Sequence, residues 1–161
     1  MASKEKRSKK RSGTKLPLEK QLENVVFFVD RCLGKNTVPE TLRQTGLKVE
    51  VHSDRFPDEK ELNDAYWLIE CGKRGWVVLT KDREIRRNDL ERIALMNAGV
   101  ASFILISAHS SGQDNANALI KSLPRIARFL KHKSKPFIAR VNKNGEVELW
   151  IDHNGKDHLK R

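Results

Sequence analysis

The chain has 161 residues, enough for one domain with short extensions and a real hydrophobic core. Its two cysteines, Cys32 and Cys71, exclude a disulfide framework and a zinc-finger spacing. No apolar run is long enough to span a membrane and no signal peptide is legible, so a cytoplasmic protein without a membrane segment is expected. The net charge of +11 points to polyanions as partners, although such charge also serves solubility alone.

The first fifteen residues carry seven Lys or Arg against Glu5 alone, a net +6, so the remainder is itself basic. Residues 1–23 read as a basic disordered tail with little to bury, able to touch RNA, DNA or an acidic partner, or simply solvated. An almost unbroken apolar run from Asn24 to Val29 predicts a parallel strand covered on both faces, ending in Asp30-Arg31. Gly34 then turns the chain into a helix over Val38–Thr45, with Thr37 as N-cap, Pro39 in the first turn and Gly46 as the stop. A second strand is expected at Leu47–His52.

The loop Ser53-Asp54-Arg55-Phe56-Pro57 leads to Asp58–Glu61, spaced as a capping box. The helix that follows to about Lys73 is expected to bury Leu62, Ala65, Tyr66 and Ile69. Asp64 lies in its second turn, off that stripe. The third strand, Trp76–Thr80, repeats the construction of the first: it ends in Thr80-Lys81-Asp82-Arg83. A helix over Asn88–Ala98 carries Leu90, Ile93, Ala94 and Met96. A fourth strand, Ala101–Ser107, and a polar loop, Ala108–Gln113, follow. A long helix, Asp114–His132, has Pro124 inside it and is expected to kink or break there. Residues 133–161 change character: Phe137–Val141 and Glu146–Ile151 flank Asn142-Lys143-Asn144-Gly145, a hairpin signal with one apolar face left to dock. The hairpin and tail are candidates for a subunit interface in a homodimer. Asp152–Arg161 read as frayed.

In an open parallel sheet, ligands bind at the carboxyl edge of the strands. By this topology Asp30, Asp64 and Asp82 converge on that edge. Close carboxylates repel one another and stay ionised only with a hard cation between them. Oxygen ligands without a Cys or His cluster suit Mg²⁺ or Mn²⁺, which could activate water and steady charge on a phosphodiester. An aspartate at a strand end also serves as a turn former or helix cap, and each position carries that alternative. Arg31, Lys81, Arg83, Arg86 and Arg87 border the acids and could hold a nucleic-acid backbone, or form a solvated basic face. Trp67 and Trp76 sit in element interiors and suit the core better than base stacking. His52 suits capping or packing, and Cys32 has no His and Asn arrangement to make it a nucleophile.

The segment from Phe27 to Ser107 resembles a compact PIN-like domain of the VapC-type toxin branch. The residues that carry the resemblance are Phe28-Val29-Asp30-Arg31, Leu42 with Gly46, His52-Ser53-Asp54-Arg55-Phe56-Pro57, Asp64-Ala65-Tyr66-Trp67-Leu68, and Gly75 to Arg83. Ile85-Arg86-Arg87-Asn88, Glu91 and Ala94-Leu95 also fit. The resemblance implies a three-layer α/β/α domain over residues 24–132 with a short parallel sheet. It further implies a metal-dependent ribonuclease, a toxin held inactive by a protein antitoxin. Asp30, Asp64 and Asp82 would be the catalytic, metal-binding acids, and Thr80 would orient the site. Longer PIN domains supply a further acid from a middle region that is short here; Glu40, Asp54 and Glu61 are the candidates.

Three alternatives compete. A receiver-like regulator needs adjacent acids after the first strand, and a phosphatase needs Asp-x-Asp; Asp30-Arg31-Cys32 supplies neither. A non-catalytic PIN-like module that binds RNA or protein without cutting is separated from the nuclease by metal-dependent cleavage.

Overall fold

A computed structural model describes residues 16–56, 64–81, 89–106 and 111–159. Six strands form one sheet: β1 (Val26–Val29), β2 (Lys48–Val51), β3 (Val77–Lys81), β4 (Ala101–Leu105), β5 (Phe137–Val141) and β6 (Val147–Ile151), in the order β2-β1-β3-β4-β5-β6. The first five are parallel, and β6 closes the edge antiparallel to β5. Helices α1 (Leu18–Gln21), α2 (Thr37–Gln44), α3 (His52–Arg55), α4 (Asp64–Arg74), α5 (Asp89–Ala98) and α6 (Gly112–His132) connect and cover them.

Strand alternation divides the core into two layers. Phe27, Val29, Leu79, Phe103 and Ala139 pack under α2 and α6. Phe28, Val78, Ile104 and Ile138 pack under α4 and α5, with Trp67, Trp76 and Trp150. The expected α/β/α architecture is therefore present, and Trp67 and Trp76 are core residues. His52 is buried as well, its ring within 6 Å of Phe28, Phe56 and Trp67.

Several local expectations shift. Leu18–Gln21 form a helical turn and Leu22 is buried, so order begins before the boundary expected at residue 23. Asn36, not Thr37, is the N-cap of α2, and Thr37 is its first residue. On α4, Tyr66 and Ile69 are 48% and 49% exposed, whereas Trp67, Leu68 and Cys71 are buried. The buried stripe is thus rotated by about one residue from the expected one, because the bulky Trp67 takes the sheet-facing position and stacks on Phe28 at 5.1 Å. On α5 the same holds: Leu90 and Ile93 are exposed and Leu95 is buried. The capping box at Asp58–Glu61 lies outside the described residues.

α6 runs through Pro124 as one helix of 21 residues rather than breaking. Proline forfeits the bond to the Ile120 carbonyl, but burial of Leu119, Leu123, Ile126 and Ala127 on one face holds the helix together. The β4–α6–β5 crossover passes over the same face as β1–α2–β2 but runs toward the opposite end of the sheet. It therefore has the opposite hand to the other three crossovers, an uncommon arrangement. One consequence places the N-terminus of α6 beside that of α2: a Cβ on Gly112 would lie 3.3 Å from Cβ of Thr37.

The C-terminal hairpin forms as expected, but β5 is an inner strand, in register with β4 from Ala101↔Phe137 to Leu105↔Val141. Its turn seats on α6, where Gly145 (φ +80°) leaves no room for a side chain: a Cβ there would lie 2.6 Å from Cβ of Lys121. The segment after β6 is not frayed. Asp152 accepts from the amides of Asn154 and Lys156 and from the His158 ring, and the His158 amide donates to the Trp150 carbonyl at 2.7 Å.

Candidate active site at the carboxyl edge of the sheet

β1 and β3 are neighbours, so the residues that leave their C-terminal ends emerge side by side. The Asp30 amide extends the ladder by donating to the Leu79 carbonyl at 3.0 Å. Beyond it the chain tightens into a 3-10 turn over Arg31–Leu33, and Asp30 caps that turn: its Oδ1 accepts from the Arg31 amide at 2.6 Å. The turn-forming role weighed for this aspartate is therefore real, yet it occupies only one carboxylate oxygen. The other, Oδ2, faces β3 and accepts from the Thr80 hydroxyl at 2.8 Å. Thr80 is buried while Asp30 is half-buried, so a fixed donor orients a carboxylate that solvent still reaches.

The 3-10 turn returns Cys32 to the same place. Its Sγ lies 3.5 Å from Asp30 Oδ2 and 3.2 Å from Thr80 Oγ1, and accepts from the Lys81 amide at 3.2 Å. Burial, and then the neighbouring Asp30 carboxylate, push the Cys32 thiol up to about 11. It stays protonated at neutral pH, which removes it as a nucleophile and leaves it a bridge between the two strand ends. The spacing Asp-x-Cys was visible in the sequence, but only the 3-10 turn brings the thiol back over Thr80.

The other candidates distribute as follows. Asp64 is the first residue of α4, so the backbone places it at this same edge. Lys81 ends β3 there, half-buried, and Arg31 is exposed beside Asp30. Asp54 stands exposed on α3, which caps the end of β2, and Glu40 is exposed in the first turn of α2. Asp82, Arg83, Arg86, Arg87 and Glu61 lie outside the described residues. A cleft of about 200 Å³ opens on this edge, lined by Arg31, Gly34, Lys35, Val51 and Ser53. It sets two cationic side chains against the acid-bearing strand ends, the polarity a phosphodiester needs.

Among the described residues, no three His, Cys, Asp or Glu side chains gather at metal-binding separation. The donor chemistry at Asp30 nevertheless suits a hard cation. Its carboxylate has roughly four acceptor positions, and the Arg31 amide, the Thr80 hydroxyl and the Cys32 thiol fill three of them, leaving one for a cation. No helix among the described residues is long and apolar enough to cross a membrane.

Comparison with known proteins gives the family of the chain. The family described as "PIN like domain" matches residues 25–107, which run from β1 through β4 and include Asp30, Asp64 and Asp82. A protein of Mycobacterium tuberculosis (strain ATCC 25618 / H37Rv), named "Putative ribonuclease VapC45", is 32% identical over 125 residues, which cover 76% of this chain and 90% of that protein. No solved structure gives a significant match.

Proposed function

This chain belongs to the PIN-like domain family, in its VapC-type branch, and from that premise we propose that it is a metal-dependent endoribonuclease, the toxin of a toxin–antitoxin pair. The observation that carries the reading is the Asp30 carboxylate, held by Thr80 from the adjacent strand at the edge where Asp64 opens its helix and Asp82 follows β3. The name of the mycobacterial relative supports the choice of RNA as substrate.

In this reading Asp30, Asp64 and Asp82 would hold Mg²⁺ or Mn²⁺, with Asp54 or Glu61 as the further acid, and a bound ion would supply an activated water and a countercharge for the phosphodiester. The chain's own groups do the rest. Thr80 holds Asp30 in one orientation, and the Cys32 thiol and Lys81 amide keep the ends of β1 and β3 in register. Arg31, Lys81, Arg83, Arg86 and Arg87 bind the RNA backbone on either side of the scissile bond. Hydrolysis leaves 5′-phosphate and 3′-hydroxyl ends. A protein antitoxin in the cytoplasm would cover this edge.

The test is cleavage of a mixed single-stranded RNA pool by purified protein in Mg²⁺, Mn²⁺ or EDTA. Cleavage should require the metal and fall by more than about a hundredfold in Asp30→Asn and in Asp82→Asn, since loss of a direct ligand exceeds the cost of losing an outer partner. Cutting that survives EDTA or both substitutions would sink this reading. RNA binding with no cutting under any metal would identify a non-catalytic module instead.

A further inference from the structure

The basic surplus of the folded part is concentrated on one helix. From Asn115 to Gly145 the sequence has eight Lys or Arg and no Asp or Glu. On α6, Lys121, Arg125, Arg128, Lys131 and His132 are all exposed and follow one another at spacings of four, three, three and one, so they form a single outward stripe. Such spacing sets like charges beside one another, which destabilises a helix unless anions intervene. Several cations elsewhere are paired: Glu70 with Lys73 and Arg74, each at 3.7 Å, Lys20 with Glu23, and Arg140 with Glu148. Among the described residues, no carboxylate pairs with Lys121, Arg128 or Lys131. The helix dipole favours cations only in the last turn, and so accounts for Lys131 and His132 but not for Lys121, while Arg125 donates to the Gly145 carbonyl at 3.2 Å.

The lower end of this stripe opens into a cleft of about 560 Å³, where Arg128, Lys131 and His132 face Pro17, Leu18 and Gln21. The seven cations of residues 1–15 lead directly into it in the sequence. Its upper end stops at Lys121, about 13 Å along the helix from Gly112, which abuts Thr37 at the carboxyl edge; the exposed Asp114 lies between. From these placements we propose that the outer face of α6 from Lys121 to His132 is a docking track for the RNA backbone, remote from the cutting edge.

The choice of RNA as occupant rests on the ribonuclease reading above and on the chemistry of the face. Protein interfaces centre on aromatic and aliphatic side chains and exclude lysine. Among the described residues, four of the five exposed large apolar residues, Tyr66, Ile69, Leu90 and Ile93, are instead on α4 and α5, across the sheet, and the fifth, Leu16, lies at the cleft below the stripe. Lys121 and Lys131 are about 15 Å apart along the helix, a span that meets several phosphates and no particular base. The track therefore binds without sequence preference, and its signature is counterion release.

The experiment measures anisotropy of a labelled, mixed-sequence single-stranded RNA with full-length protein in EDTA, from about 50 to 200 mM salt. The combined variant Lys121→Gln, Arg128→Gln and Lys131→Gln changes only exposed side chains; single Arg128→Gln is run beside it in case the triple variant misfolds. The triple variant should bind at least about tenfold more weakly, with the slope of log K against log salt reduced by about two; the single variant should lose about 0.7 of slope. Unchanged affinity and slope in both variants would overturn the proposal. So would poly-L-glutamate binding as tightly as RNA and failing equally in the triple variant, which would assign the face to an acidic protein. Wild-type protein that never cuts, but whose RNA binding depends on these three residues, would remove the nuclease reading and leave the docking track standing.

Discussion

At the scale of single residues, the candidate site depends on one short hydrogen bond between strands. Thr80 donates to Asp30 at 2.8 Å from a buried position, and hydrogen bonds to a charged group contribute about 1.5–3 kcal/mol. Thr80→Val keeps the β-branched shape and removes only the donor. It should lower metal-dependent cleavage by about tenfold or more and raise the metal concentration needed for half-maximal rate, with the melting temperature lowered by only several degrees so that the protein stays folded. A rate equal to wild type at limiting metal would show that Thr80 does not orient Asp30. Asp30 was legible in the sequence, because an apolar run that stops at a carboxylate marks a strand end, whereas the orienting role of Thr80 came only with the family resemblance. The role of Cys32 was not legible, since a thiol two residues past Asp30 reaches Thr80 only through a 3-10 turn that no local residue preference encodes.

At the scale of elements, the helices on the aromatic face were located well and rotated wrongly. Periodicity marks α4 as amphipathic, but Tyr66-Trp67-Leu68-Ile69 offers two adjacent apolar stripes, and only the partner layer decides between them. Gly72 is the clue that settles the packing. A Cβ there would collide with the Ala98 carbonyl oxygen of α5, so the two helices approach more closely than alanine allows. Gly72→Ala should therefore destabilise the fold by about 1–3 kcal/mol despite its better helix propensity, read as a lower denaturation midpoint. A stabilised variant would mean that the helices separate freely. The turn after β6 makes a second prediction at this scale. The His158 hydrogen bond, with amides from Lys156 and Asn154, lowers the Asp152 carboxyl to about 2. A folded value below the unfolded one, about 3.9, contributes stability above that pH which is lost as pH falls through the folded value. Amide protection at Asn154 and Lys156 should thus persist at pH 5 and disappear between about pH 4 and pH 2. Protection that outlasts full protonation would exclude Asp152 as the anchor.

At the scale of the whole molecule, alternating strands and helices imply a parallel sheet with its chemistry at one edge, and that much follows from pattern alone. Long-range pairing does not. The C-terminal hairpin was recognisable from Asn-Lys-Asn-Gly, yet its insertion beside β4, through a crossover of the opposite hand, depends on the buried face of α6 finding room next to α2. That packing points Lys121, Arg125, Arg128 and Lys131 of α6 outward, on the opposite side of the sheet from the exposed Tyr66, Ile69, Leu90 and Ile93. The charge of residues 1–15 adds to these cations. Removing those residues takes the formal net charge from +11 to +5. If the tail neutralises RNA phosphates, its deletion should weaken RNA association most at low salt and flatten the dependence on salt, as loss of phosphate contacts requires. Single-turnover cleavage at saturating protein should not change, because in the proposed reaction Asp30 and Thr80, at the sheet edge, act only after the RNA is bound. A deletion that leaves the salt dependence intact would confine RNA recognition to the folded surface; one that also slows cleavage at saturation would place the tail in the reaction itself.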